Sequence, residues 1–595
     1  MTVDRLLELA SAINPGFFLI AASAWTAFAK GGTARAIGLL GGPALALLAL
    51  LYPPVSGTEV ARTHFLGFDV ALYRSDSLSL IFGLGFVLAA ALSGVYSLHR
   101  EDRLQDSAGL LYAGAAMAAV FVGDLISLVV FWELTALASA VLIFARATPA
   151  ANAAGMRYLV IQIISGLLLM TGVVIYGLSK GTFILADLGP LRGGVLAGVL
   201  DVHAPGGLLI LAGVGIKAAF PLFHNWLTDA YPNTTETGAV VMSAYTTTLA
   251  VYVLARGFAG LDWLIWIGAV MTIYPVFFAV MENDLRRVLA YSTNNQIGFM
   301  VCAVGIGTPL AINGAAAHAL AHIVFKGLLF MTMGAVWMRT GTTKATELGG
   351  LHRTMPFTTL FCLVGAASIS ALPFFAGFSS KSMIMAAAHG PGLAAVWLML
   401  LFASAGVLEH SGIKIPFFAF FSHDSGKRPK EAPFTMLLAM GLASALCLAI
   451  GLAPGWFYEL MPYRDEALLY LAQDLFTADH ILTQLQLLAF AVLAFIVLRR
   501  LRLYPPERRG VIIDIEWLWR QAGQMIAGVL GRQGAKTALA IESLSGRLAA
   551  RVFDGASQVF APGGRVARNL PLAGAAIWTA ALLGFVAIIA MFTSR

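Results

Sequence analysis

The sequence predicts an all-α polytopic membrane protein of about 14–16 transmembrane helices, each needing ~20 apolar residues to cross a bilayer. Three observations carry this. Hydrophobic residues make up 59% of the 595 residues and charged residues 12%, against roughly 45–50% and 25% in soluble proteins. The apolar residues are gathered in long runs with short polar loops between them. The basic excess, a net charge of +7, is concentrated in alternate loops, as the positive-inside rule expects. That distribution argues for a lipid bilayer as solvent and against nucleic acid as partner.

The runs fall near residues 13–29, 34–52, 77–98, 107–123, 125–145, 156–178, 206–227, 237–256, 262–281 and 287–306. They continue at 311–338, 357–388, 394–421, 434–455, 481–499 and 571–592. The N-terminal stretch MTVDRLLELASAINPG lacks the layout of a signal peptide, so the first run is expected to remain as a membrane helix. Lys30, Arg35, Arg100, Arg103, Arg146, Arg157, Arg286 and Arg287 mark one set of loops, and Lys427, Arg428, Arg499 and Arg500 continue it. The other set holds fewer, such as Arg62, Arg74, Lys180 and Arg192. This asymmetry predicts an N-terminus outside, and an even span count puts the C-terminus there too.

Two spans read as interrupted. Gly213, Gly215 and Pro221 flank Lys217 in the seventh, and Pro373 and Gly377 precede Lys381 in the twelfth. Proline removes a backbone donor and glycine loosens the helix. Interrupted spans in the two halves of a transporter point to its ion site. After residue 500 the basic stretch RRLRLYPPERRG leads into a segment where Ile541, Leu544, Leu548 and Val552 recur at helical spacing, opposite Glu542, Arg547 and Arg551. That predicts an amphipathic helix on the inner membrane surface or along a partner, followed by the last span.

Ionisable residues inside apolar runs bear most directly on function. Glu133, Lys217, Lys326, Lys381 and Lys414 all lie in or beside such runs. A charge at the bilayer centre costs roughly 2.5–3.5 kcal/mol on insertion scales. Such residues mark ion or proton paths. His318, His322 and Lys326 are spaced four apart, which on a helix makes one polar stripe ~12 Å long. Imidazole titrates near neutrality, so the stripe can relay protons through intervening water. A zinc site is the rival reading, but Ala319 stands where HExxH needs glutamate. Glu133 has no opposite charge on its own span, and Lys217 is its natural partner. At ~4 Å such a pair is worth roughly 4 kcal/mol at an effective dielectric near 20.

Cys302, Cys362 and Cys447 lie in apolar stretches and form no CxxC. No Walker loop or dinucleotide fingerprint is present either. No cofactor and no metal is expected, and no catalytic motif of its own, so whether the chain serves an enzyme depends on its partners.

The stretches FWELTALASAVLI, GIKAAFPLFHNWLTDAYPNTTE, ENDLRRVLAYSTNNQIG, HALAHIVFKGLLFMTMGAV and LPFFAGFSSKS resemble the antiporter-like membrane subunits. Respiratory complex I, membrane-bound hydrogenases and the multi-subunit Mrp cation/proton antiporters share these subunits. The likeness runs from about residue 70 to 420, in order. SAYTTTLAVYVLARG and VLEHSGIKIPFF are most similar to the D-like Mrp proteins, and the long tail resembles the largest complex I antiporter-like subunit. The resemblance implies two inverted five-helix repeats with broken helices. The divisions are then an N-terminal three-helix region (1–106), the repeats at 107–256 and 257–421, C-terminal helices (422–500) and the lateral segment with the last span (501–595). It also implies that Glu133 and Lys217 form the first-half pair, that His318, His322 and Lys326 form the central relay, and that Lys381 is the exit lysine. His224 matches the family's histidine after the first break.

One departure stands out. The family often carries Lys or His in the eighth span, where this chain aligns Thr248. Threonine carries no charge, so a link there would rest on water held by Thr246, Thr247 and Thr248. Glu409 and His410 beside Lys414 are further ionisable residues without an assigned role.

Three functions remain open at this point. The first is a proton-conducting subunit of a multi-subunit Na+/H+ antiporter in a bacterial inner membrane, with other membrane subunits as partners and H+, or H+ and Na+, as cargo. The second is a proton-pumping subunit of a complex I-like NADH:quinone oxidoreductase or a hydrogenase. The third is a structural subunit with an inactive channel.

Overall fold

Aspartate and threonine begin helix after helix. In the computed structural model, which describes residues 13–503 except 55 and 66 and scattered positions from 505 to 532, Asp76, Asp102, Asp124, Thr148, Asp284 and Thr308 each accept a backbone N–H at a helix start. A side-chain cap of this kind contributes about 1 kcal/mol. The helices that follow are α1 (Gly16–Phe28), α2 (Gly32–Leu51), α3 (Ser77–Ser97), α4 (Arg103–Phe121), α5 (Leu125–Phe144) and α6 (Pro149–Lys180). Then come α7 (Gly207–Lys217), α8 (Asn225–Ala230), α9 (Glu236–Met242), α10 (Thr246–Phe258), α11 (Asp262–Met281), α12 (Leu285–Ile306) and α13 (Pro309–Thr340). The series ends with α14 (Pro356–Ile369), α15 (Ala376–Ala387), α16 (Ala394–Val407), α17 (Phe434–Leu452) and α18 (Ala478–Arg500). Among the described residues ten helices are long and apolar enough to cross a membrane, counting α9 with α10 and extending α16 to Phe421. The chain is an integral membrane protein.

Both expected interruptions are present. α7 stops at Lys217, and the chain turns through Ala219 and Leu222 at positive φ before α8. α14 stops at Ile369 and turns through Ala371 and Phe374, also at positive φ, before α15. Left-handed backbone at non-glycine residues costs on the order of 1–3 kcal/mol each and clusters at functional sites. Three features differ from expectation. The eighth span breaks between Met242 and Thr246, where no Gly or Pro announces it. The polar stretch after α2 forms an antiparallel hairpin, β1 (Glu59–Phe65) with β2 (Phe68–Arg74). The end of the thirteenth span winds into wider π-helical turns at Leu408–Ile413 and Phe417–Phe421. The expected amphipathic helix and the span at 571–592 lie outside the described residues.

A motif recurs at constant offset. Asp124 caps α5 and bridges to Ile184, as Asp284 caps α12 and bridges to Lys344. Thr148-Pro149 opens a helix of 32 residues that ends at Gly181, as Thr308-Pro309 opens one of 32 that ends at Gly341. α13 is the axis of the assembly: every residue of its apolar window is buried, against 39% for α6. It packs on α3, α9, α12, α14, α15 and α17. α11 and α12 approach closely because Gly298 lies on the α11 backbone, where an added Cβ would sit 2.8 Å from the Gly268 carbonyl oxygen.

Candidate functional site

Lys217 closes α7 at the C-terminal, carbonyl-rich end of its half-helix, where the helix dipole favours a cation. Its side chain is fully buried. The ammonium donates to the Trp132 carbonyl oxygen at 2.6 Å and to Thr135 Oγ1 at 3.0 Å, and it lies 4.4 Å from the centre of the Trp132 ring. Glu133 is half-buried; its charge and that of Lys217 act on one another, but the carboxylate is not among the groups that the ammonium touches. The pair expected from the sequence is therefore electrostatic and without direct contact. The reason is helical geometry: one residue turns the side chain by ~100°. Lys217 meets the face of α5 that carries Trp132 and Thr135, whereas Glu133 turns toward α6. There its carboxylate rests on Gly166, where an added Cβ would overlap Glu133 Oε1. That oxygen is buried without a hydrogen-bond partner among the described residues.

From Lys217 a series of hydroxyls runs toward the break in the eighth span. Thr135 donates to the Trp132 carbonyl at 2.6 Å, and Ser139 donates to the Thr135 carbonyl at 2.6 Å. Ser139 Oγ and Tyr158 OH are 2.7 Å apart. Thr246, at the start of α10, shares a short hydrogen bond with Tyr112, whose oxygen also accepts the Thr246 N–H at 2.9 Å. All of these side chains are buried. Thr248 is fully buried too, and its hydroxyl has no partner among the described residues. Ordered water commonly completes such a group. Sequence reasoning misses Thr135, Ser139, Tyr158 and Tyr112. The one available signal is the i, i+4 spacing of Thr135 and Ser139 on the span that carries Glu133.

The second half is built on α13. It runs unbroken through His318, His322 and Lys326, all fully buried. His318 Nδ1 lies 3.0 Å from Ser380 Oγ, and its Nε2 lies 3.0 Å from Gln296 Oε1. With both nitrogens engaged, His318 offers nothing to a metal. Both nitrogens of His322 are buried without a hydrogen-bond partner among the described residues, and the Phe325 ring stands edge-on to it at 5.6 Å. Lys326 donates to Ser292 Oγ at 2.8 Å. Lys381, on α15, reaches back over the break toward the Ile369 carbonyl at 3.4 Å and lies 4.9 Å from the Phe299 ring. A cation thus faces the carbonyl end of α14, the counterpart of Lys217 at the end of α7.

Ser380 links the two groups, since it touches His318 and precedes Lys381 in sequence. His224 lies beyond the first break against Tyr274, ring centres 4.7 Å apart, away from Lys217. Lys414 donates to the carbonyl oxygens of Ala279 at 3.2 Å and Val280 at 2.5 Å, at the C-terminal end of α11. Glu409 is half-buried in the π-helical turn before it.

Comparison with known proteins agrees with this architecture. Residues 122–409 match the model of the NADH:quinone oxidoreductase/Mrp antiporter transmembrane family. An uncharacterized protein of Mycobacterium tuberculosis is 30% identical over 456 residues, which cover 70% of this chain and 68% of that one. The A-type component of the Na+/H+ antiporter of Alkalihalophilus pseudofirmus is 30% identical over 422 residues. This match covers 64% of this chain and 52% of the antiporter component, so the similarity spans about half of that protein's length. That relative is of the A type, where the stretches around the eighth and thirteenth spans led to an expectation of the D type. The fold is shared with a chain of the Mrp complex from Dietzia sp. DQ12-45-1b, with a TM-score of 0.66, 21% identity, and coverage of 82% of this chain and 100% of that one. The chain is a member of the NADH:quinone oxidoreductase/Mrp antiporter transmembrane family.

Proposed function

We propose that the chain is the proton-conducting membrane subunit of a multi-subunit cation/proton antiporter. Protons pass along Glu133, Lys217, the His318–His322–Lys326 stripe and Lys381. The observation that carries this reading is the burial of Lys217, His318, His322 and Lys326 at zero exposure within a bundle of membrane helices. Buried ionisable side chains of this density are costly in a passive anchor and useful in a proton path.

Lys217 has two positions in this mechanism. In one it is held by the Trp132 carbonyl and Thr135. In the other it swings about a quarter-turn along α5 to meet Glu133. Moving between them changes the field on the lysine and couples proton uptake or release to charge movement. The hydroxyls of Ser139, Tyr158, Tyr112 and Thr246, with water at Thr248, replace the ionisable side chain of the eighth span and speak against an inactive channel. The recurring motif supports two inverted half-channels: α5 and α12 are five spans apart, so equivalent helices run in opposite directions. The arginine-rich loops support an N-terminus outside the plasma membrane.

Other membrane subunits are the expected partners, because half-buried Glu133 lies on α5 between exposed Val130 and Leu137. The family also contains quinone-reductase subunits, which favours a second reading as the pump of a redox-driven complex. The deciding experiment measures proton movement in membrane vesicles. An added Na+ gradient driving H+ movement supports the antiporter. H+ movement driven only by electron transfer to quinone supports the pump. Unchanged flux in Lys217→Ala and Lys326→Ala vesicles overturns both.

A further inference from the structure

The proton path described above leaves His410 unused, and the structure ties this residue to it. The thirteenth span departs from α-helical winding at Leu408–Ile413, where six residues form a π-helical turn. Such turns are rare and recur at functional sites, because the wider turn re-aims side chains that an α-helix would point elsewhere. Here it turns His410 and Ser411 toward α12. Ser411 Oγ donates to Ser292 Oγ at 2.8 Å, and His410 Nδ1 lies 2.8 Å from Ser411 Oγ. Ser292 Oγ also accepts from Lys326 at 2.8 Å. His410, Ser411, Ser292 and Lys326 therefore form one hydrogen-bonded chain across three helices, and all four are fully buried.

The far end of the chain is open. His410 Nε2 is buried and has no hydrogen-bond partner among the described residues, although a buried polar atom left so costs about 1–3 kcal/mol. Imidazole is suited to this position, because it can take a proton on one nitrogen while releasing one from the other. A static structural histidine gains nothing from an unsatisfied nitrogen. Lys326, Lys381 and Lys414 are the cations whose charge acts on His410, and Glu409 is the acid beside it in the turn. The π-turn also abuts the second helix break: an added Cβ on Gly412 would overlap Ser370 Oγ, and Ser370 caps the C-terminal end of α14.

We propose that His410 is a further protonatable station of the transport path, loading Lys326 from the α16 side through Ser411 and Ser292. This rests on the reading of Lys326 as a proton carrier. In the transfer, neutral Lys326 accepts the Ser292 hydroxyl proton, Ser292 takes that of Ser411, and Ser411 takes the Nδ1 proton of His410. One proton that entered at His410 Nε2 is thereby balanced by one gained at Lys326. The two serines keep their composition and only reverse their hydrogen-bond direction.

The test uses membrane vesicles holding the complete assembly, with proton flux followed by a pH-sensitive dye across a range of pH. His410→Gln is expected to lower flux roughly tenfold and to change its pH profile. The fall is smaller than the ~10²–10⁴-fold of a sole acid–base group, because the His318–His322 stripe still feeds Lys326. Ser411→Ala, which cuts the chain without touching a titratable group, is expected to give the same fall. Ser411→Thr, which restores a hydroxyl, is expected to recover flux. If His410→Gln prevents assembly, the Ser411 pair decides alone. Wild-type flux and pH profile in Ser411→Ala, with Lys326→Ala inactive, overturns the branch and leaves the main path standing. Wild-type flux in Lys326→Ala overturns the main path, and the branch with it. Equal loss in Ser411→Ala and Ser411→Thr means a packing role and also overturns the branch.

Discussion

Lys217 Nζ lies 2.6 Å from the carbonyl oxygen of Trp132, the residue just before Glu133, and the Glu133 carboxylate is not among the groups it touches. The lysine is held by the backbone of the helix that carries its expected counter-charge, on a different face. A buried ammonium with a carbonyl, a hydroxyl and an aromatic ring around it is well satisfied. Glu133, by contrast, has a buried oxygen without a hydrogen-bond partner among the described residues. The asymmetry suits a switch in which the lysine moves and the carboxylate waits.

Removing the carboxylate should therefore stop coupled transport without unfolding the chain. Glu133→Ala is expected to insert and assemble normally and to abolish ion flux in vesicles. Gly166→Ala tests the same point from the opposite helix. Its Cβ would occupy the place of Glu133 Oε1, so the carboxylate has to move and flux should fall, with Glu133 still present. Normal flux in both variants removes Glu133 from the mechanism.

The two lysines beside the helix breaks should tolerate neither loss nor fixed charge. Lys217→Ala and Lys381→Ala each take away a protonatable group and are expected to block transport. Lys217→Arg keeps the cation, but arginine stays protonated and cannot hand a proton on. It is expected to fail as well. If Lys217→Arg transports normally, Lys217 is only a counter-charge.

Stability and transport can be separated at Gly298, which lies where the backbones of α11 and α12 meet and touches no ionisable group of the path. Gly298→Ala drives a methyl group against the α11 backbone. Overpacking of this kind costs typically ~1–3 kcal/mol. Thermal unfolding of the detergent-solubilised complex should shift downward, while the pH profile of the remaining flux stays that of the wild type. An unshifted transition means that α11 and α12 part easily.

The spans are legible because long apolar runs admit few alternatives to a membrane helix, and the breaks at Pro221 and Pro373 because proline cannot continue one. The break at Ser243–Tyr245 is not, since nothing there lacks a donor or a Cβ. It is visible in three dimensions, where Tyr112 binds both the backbone and the side chain of Thr246. The hairpin at 59–74 carries charges on both strands and gives no clean alternation. The stripe of His318, His322 and Lys326 can be read because all three share one helix. The relation of Glu133 to Lys217 cannot, because it depends on which faces of α5 and α7 meet, and a single sequence does not encode that choice locally. The hydroxyls of Thr135, Ser139 and Tyr112 are hidden by their commonness: serine and threonine in membrane helices mostly satisfy their own backbone.

The eighth span carries buried hydroxyls at Thr246, Thr247 and Thr248. If protons cross from Lys217 to the His318 stripe there, the carriers are hydroxyls and water, not an ionisable side chain. Thr248→Val keeps the shape and deletes a buried hydroxyl that has no partner among the described residues. Losing a water anchor of about 1 kcal/mol slows transport roughly fivefold. Tyr112→Phe removes the hydroxyl bound to Thr246 and should slow it by a similar factor. Thr248→Lys does the opposite, installing the kind of charge that the family resemblance leads one to expect there. Two like charges at close range disfavour each other's protonated form, so this variant should move the pH dependence of flux. Proton flux against pH in vesicles measures all three. If none changes rate or profile, the path does not pass the eighth span, and the link from Lys217 to His318 has to be sought along another helix.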